Sequence, residues 1–320
     1  MRTTIKQITS IARLTALEAS RQPIFLLLTT AVLLFIGLLP LLITHVISDS
    51  ARMVRDSALA VQWVSGLVLG CYAASSTITR ELRRGTLASI LSKPVGRGLF
   101  FLSKFAGVSL IMLLFAITST LATMLSVRTA AQPYLYDAWG IGPLFAAIAL
   151  AYGWAAIQHY FLRIPFVSRT YMILSIAVAL AFIASCLVPV EGEPGGFGAA
   201  IPWNIAPAGL LLGLAMVLIS SFAVSLATRL DTVPTLSWCV GLFLLGLMSD
   251  YLFGRRADEH WFFDGLYGII PNWQHFWAVD ALHRGAIPWS YTLDVVGYVA
   301  VYAVAVLCAG LLSFMRMEVK

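Results

Sequence analysis

The sequence predicts an all-α polytopic membrane protein: about eight membrane-crossing helices, an N-terminal helix at the bilayer interface, and a short helix in one cytoplasmic loop. Three observations predict it. Of the 320 residues, 60% are hydrophobic and 11% charged, where a soluble domain is about 45–50% apolar and about 25% charged. Eight stretches approach or exceed the roughly 20 apolar residues that a helix needs to cross a bilayer. The cations are also unevenly distributed: with the N-terminus cytoplasmic, fifteen of the 21 Lys+Arg lie on the cytoplasmic side and eleven of the 15 Asp+Glu lie outside, as the positive-inside rule requires. That bias also accounts for a pI near 9.3, so no nucleic-acid partner is implied.

At the start of the chain, a projection at about 100° per residue groups Ile5, Ile8, Ile11, Ala12 and Ala16 on one side and Arg2, Lys6 and Arg13 on the other. Residues 1–22 therefore read as an amphipathic helix at the membrane lipid headgroups, ended by Pro23. The alternative is a set of flanking positive-inside charges, because Leu14 and Leu17 fall off the apolar face. A cleavable signal is not expected, since the first apolar stretch is longer than an h-region of about 7–15 residues.

The expected spans cover residues 23–47, 61–79, 99–126, 141–162, 171–187, 206–228, 235–253 and 291–314. Pro40, Gly66 and Gly70 lie inside spans, where they permit kinks or close helix approach but suit ordinary packing equally. Cys71, Cys186, Cys239 and Cys308 lie in or at the ends of spans without a C-x-x-C pair and read as packing residues. The longest loop, 254–290, is shorter than a soluble domain of about 50 residues. It carries His260, His275 and His283 among Trp261, Phe262, Trp273, Phe276 and Trp277. The histidine spacings match no compact ligand motif, whereas the aromatics suit an interfacial belt. No metal or cofactor is expected on this chain.

The most informative loop is residues 79–97, TRELRRGTLASILSKPVGR. Gly85 breaks the preceding helix, Thr86 can cap a new one and Pro94 ends it, with Leu87, Ile90 and Leu91 on one face. A two-turn helix does not stand alone in water, so this face docks either on headgroups or on a cytoplasmic partner, flanked by Glu81, Arg84 and Arg97.

Glu81, Gly85, Thr86, Leu87, Leu91, Ser92, Pro94, Arg97 and the following Lys104 resemble the pattern of bacterial ABC-2 type transporter permeases. So do SLATRLDTVPTLSWCVGLFLLGLMSDYLFG at 225–254, LYGIIPNWQHFWAVDAL at 266–282, and the terminal Phe314, Arg316, Glu318 and Val319. The group includes the permeases of nitrous-oxide-reductase maturation and gliding-motility operons. The resemblance implies that residues 1–22 are an elbow helix and 23–320 a single transmembrane domain. It also implies that 79–97 holds a coupling helix seated in an ABC ATPase subunit, through Glu81, Arg84, Gly85, Thr86, Leu87, Ile90, Leu91, Pro94 and Arg97. ATP and Mg would then belong to that partner, and the permease would pair with a second copy or a similar chain in the bacterial inner membrane. The family commonly has six spans, so 141–187 reads as an inserted hairpin.

The chain has no G-x-x-x-x-G-K-[ST] phosphate loop, H-E-x-x-H or G-x-S-x-G motif, so neither nucleotide binding by that route nor hydrolase chemistry is expected. Its spans carry almost no ionisable groups, which disfavours proton-coupled transport. The expectation is a permease driven by a separate ATPase; the alternative is an ATP-independent facilitator or scaffold. The sequence carries no signature of the transported substrate.

Overall fold

A computed structural model describes residues 2–43, 49–83, 96–131, 137–189, 196–256 and 261–316, with the side chains of 2–5, 81–83 and 138 excluded. Among the described residues the chain is all-helical and has no strand. Seven helices are long and apolar enough to cross a membrane, or up to eight if one bent pair counts as a single span. The protein is therefore a multi-pass, all-α membrane protein.

In chain order, α1 is Arg2–Ser20, α2 Pro23–Leu42, α3 Ser50–Arg83, α4 Arg97–Ala130, α5 Ala138–Leu162, α6 Phe166–Leu187 and α7 Ile205–Leu226. Next come α8 Thr232–Leu247, α9 Ser249–Leu252, α10 Trp261–Ile269, α11 Val279–His283 and α12 Trp289–Met315. Their contacts divide the chain into two units. One comprises Met1–Ala16, Leu67–Met112 and Leu211–Lys320; the other comprises Leu17–Gly66 and Leu113–Leu210.

The second unit is organised around α2, α5 and α6. Phe25 of α2 meets Tyr171 of α6 edge-on at 5.2 Å, and the Tyr152 and Thr30 hydroxyls hydrogen-bond at 2.7 Å. The hairpin expected from 141–162 and 171–187 is present as α5 and α6, joined by only three residues. Arg163, in the left-handed region at φ 53°, caps α5 and donates its N–H to the His159 carbonyl at 3.1 Å. A second helix end is more elaborate. Arg128, 2% exposed, donates from Nε to Asp137 at 2.7 Å, from Nη2 to the Val188 carbonyl at 3.0 Å, and from Nη1 to the Ser185 carbonyl. Asp137 also caps α5 by accepting the Trp139 N–H at 3.0 Å. One guanidinium thus ties α4 to the start of α5 and the end of α6.

Most of the hydroxyls in α4 are satisfied by the helix itself. Ser103, Thr118, Ser119, Thr120 and Thr123 each donate to the carbonyl four residues back, as apolar surroundings demand.

In the other unit, α12 buries Val295, Val299, Ala303, Leu307 and Phe314, a stripe at the three-to-four spacing of one helix face. The chain after α8 differs most from expectation. Residues 235–253 read as one straight span, but the helix breaks at Met248 and the two pieces are bent by 62°. The cause is the loop that follows. Trp273, fully buried, donates its indole N–H to the Leu242 carbonyl at 3.3 Å, and Gln274 donates to the Leu247 carbonyl at 3.2 Å. Side chains that take ladder carbonyls bend a helix where they insert.

Candidate functional site

The segment expected to act is 79–97, and the structure describes what flanks it. Arg84, Gly85, Thr86, Leu87, Ile90, Leu91 and Pro94 lie outside the described residues, as does the Glu81 side chain, although Glu81 belongs to the backbone of α3. Arg97 opens α4.

The base of the segment is built from the first turns of α4 against the end of α12. Arg97 donates from Nη1 to the Met315 carbonyl at 3.2 Å, placing a cation at the carbonyl end of a helix, where its dipole favours one. One turn on, Phe100 and Phe101 both stack on Phe314, with centroids 6.3 and 5.8 Å apart. Lys104 is 2% exposed, with its ammonium 5.7 Å from the Phe100 ring centre, a cation–π distance. The same end of α12 is held by the turn after α7. Arg229 donates from Nε to the Ser313 hydroxyl and from Nη2 to the Ser313 carbonyl, both at 2.9 Å. Higher up, Ser225 donates to the Val306 carbonyl at 3.1 Å. Two arginines 132 positions apart in sequence, Arg97 and Arg229, therefore close on the last turn of one helix.

The N-terminal helix packs on α4. A Cβ added at Gly107 would collide with the Ala12 carbonyl and stand 2.6 Å from Thr15 Cβ. Close backbone approach needs small residues on both sides. Among the described side chains of α1, Thr15, Ala19 and Ser20 are buried, while Ile8 and Leu14 are exposed. Lys6 and Arg13 are exposed, as expected of its polar side.

Beside the last turns of α3 lies a cleft of about 450 Å³ lined by Tyr72, Ser76, Thr79 and Arg80, closed by Asp231, Thr232, Val233 and Pro234 at the start of α8. No local sequence pattern pairs these residues. Asp231 before an apolar run is a legible N-cap, but its side chain makes no cap hydrogen bond.

At the bend between α8 and α9, Asp250 accepts from the Tyr267 hydroxyl at 2.7 Å and from Asn272 Nδ2 at 3.0 Å. The hydrogen bond to Asp250, followed by burial, holds the Tyr267 phenol above its usual pKa. Tyr298 of α12 accepts the Asn272 backbone N–H at 2.8 Å, and the His275 ring meets Tyr298 edge-on at 5.3 Å. The loop after α9 is thereby latched to α12. Its aromatics divide: Trp273 and Phe276 are buried, whereas Trp261 and Phe262 are exposed. Only the exposed pair has the surroundings expected of a belt. His260 lies outside the described residues. Among the described residues, no group of three His, Cys, Asp or Glu is arranged to hold a metal ion. Cys71, Cys186 and Cys239 are buried free thiols, and Cys308 is exposed.

No family model matches this chain, and no curated protein is similar to it at a significant level.

Proposed function

We propose that this chain is the permease subunit of an ATP-binding-cassette exporter of the ABC-2 type. It would sit in the bacterial inner membrane with both termini cytoplasmic and pair with a second copy or a similar permease. ATP and Mg would be bound by a separate ATPase subunit. Residues 86–94 would form the coupling helix seated in that subunit, and α1 would be the elbow helix at the headgroups.

The observation that carries this reading is the pair of helices on either side of the segment. Each of α3 and α4 has 34 residues, about 51 Å at 1.5 Å per residue, well beyond a hydrocarbon core of about 30 Å. A displacement of the segment joining two such rods reaches deep into the protein. The Arg97, Phe100 and Phe101 contacts carry α12 along with the start of α4, and the Gly107 contact carries α1. Closure of the ATPase pair would then shift these helices as a rigid body, and packed interfaces convert such shifts into discrete states. The chain itself would do no chemistry.

Co-purification tests the proposal. The native chain should retain a partner carrying a phosphate loop, and the double change Leu87→Glu, Leu91→Glu should lose it while the chain remains in the membrane. Retention of the partner by the double variant would mean that the segment is not the docking element, and would leave an ATP-independent facilitator or scaffold as the better description.

A further inference from the structure

We propose that Cys71 of α3 and Cys239 of α8 form a redox modification site, a dithiol that peroxide closes to a disulfide, joining the two helices covalently. The two residues lie 168 positions apart, and their thiols hydrogen-bond to each other. They are 4% and 1% exposed. The S–S bond needs about 2.0 Å between sulfurs, a distance that side-chain rotation reaches from hydrogen-bond contact.

The packing of the two helices places the pair independently. Thr235, Cys239 and Gly246 are the buried residues of α8, so Cys239 lies on the narrow face through which α8 meets the rest of its unit. The last turns of α3 and the start of α8 line one cleft of about 450 Å³, with Arg80 and Asp231 both in its wall. Counted from those two residues, Cys71 is nine positions back along α3 and Cys239 eight positions on along α8. At 1.5 Å per residue these are about 13 Å and about 12 Å, so the two cysteines meet at one level as the helices run on side by side.

The same cleft supplies a route for the oxidant. Ser76, Arg80, Asp231 and Thr232 are in its wall, and it reaches Tyr72, the residue next to Cys71. Hydrogen peroxide is neutral and little larger than water, so it can follow such a cleft. One sulfur attacks a peroxide oxygen, the O–O bond breaks, and the thiol proton leaves on the other oxygen as water, giving a sulfenic acid. The second sulfur then displaces the sulfenic hydroxyl, which takes the second thiol proton as another water, and the S–S bond forms. Each sulfur has lost one electron and each peroxide oxygen has gained one.

The bond has a mechanical consequence. α3 continues to Arg83 and so carries the start of the 79–97 segment; tying α3 to α8 restrains that segment whatever it docks on. This assignment does not depend on the exporter reading.

Membranes containing the full-length chain, treated with hydrogen peroxide, quenched with catalase and then denatured with a maleimide–polyethylene glycol, test it. The native chain should fall from four labelled cysteines to two, and return to four after dithiothreitol. Neither Cys71→Ser nor Cys239→Ser should lose a pair of labels, whereas Cys186→Ser combined with Cys308→Ser should fall from two labels to none. Non-reducing peptide mapping of the native chain should find residues 71 and 239 in one linked species, a result that stands whether or not the serine variants fold. Four labels after peroxide, a loss that dithiothreitol does not reverse, or a linkage through Cys186 or Cys308 would overturn the assignment. So would equal hydrogen exchange of residues 231–239 in the two redox forms, because the bond would then restrain nothing.

Discussion

Arg128 offers the sharpest test of how the helices are held. Its side chain is 1% exposed and pairs with Asp137, itself 9% exposed, while also serving the Ser185 and Val188 carbonyls. Arg128→Ala leaves a buried carboxylate without its cation and two carbonyls without a donor. Breaking a buried pair by removing one partner costs about 3–5 kcal/mol. Asp137 keeps the Trp139 N–H, which favours the lower part of that range, about 3 kcal/mol. Arg128→Met combined with Asp137→Leu removes both charges and should recover most of the loss, because apolar replacement of a buried pair is often neutral. Equilibrium unfolding in mixed micelles, followed by tryptophan fluorescence, measures both. A loss below about 1 kcal/mol for Arg128→Ala, or a double variant as damaged as the single changes summed, would refute a buried clamp at these helix ends.

Gly107→Val should separate α1 from α4, because its Cβ has no space beside the Ala12 carbonyl; limited proteolysis should then cut after α1 in the variant and spare the native chain. Gly246→Ala places a methyl against the Pro271 carbonyl and the Trp273 ring, and should cost about 1–3 kcal/mol while shifting tryptophan emission to the red as Trp273 becomes wetter. The raised pKa of Tyr267 makes the loop latch sensitive to alkali. The folded state holds this proton more tightly than the unfolded chain, so the latch is intact below the ordinary tyrosine value of about 10 and its contribution falls as pH rises through the raised value. Tyr267→Phe should weaken the latch at neutral pH and remove this alkaline dependence, measured by hydrogen exchange across 254–290.

Much of the fold was legible because a bilayer demands long apolar runs, and every expected span has a helix at its position. The runs mark membrane depth rather than helix length. α3 was expected from residue 61 but begins at Ser50, through turns containing Arg52, Arg55 and Asp56 that are too polar to count towards a span yet remain helical. α6 begins at Phe166 rather than 171 for the same reason. The break at Met248 was not legible, since it depends on Trp273 and Gln274, which follow it by more than twenty positions and capture carbonyls of the broken helix. Around the site, Arg97 could be singled out from its segment, but its acceptor, the Met315 carbonyl, is 218 positions away. The Arg80 and Asp231 cleft is likewise a product of tertiary packing. No local motif joins residues 151 positions apart.

A photoreactive side chain at position 90 in native membranes would interrogate the segment most directly. The sequence pattern assigns Ile90 to the apolar face of the expected short helix, which would either enter an ATPase or rest on lipid. We expect crosslinks to a polypeptide bearing a phosphate loop, with a yield that changes between ATP-bound and nucleotide-free states. Crosslinks to phospholipid alone, unchanged by nucleotide, would contradict it.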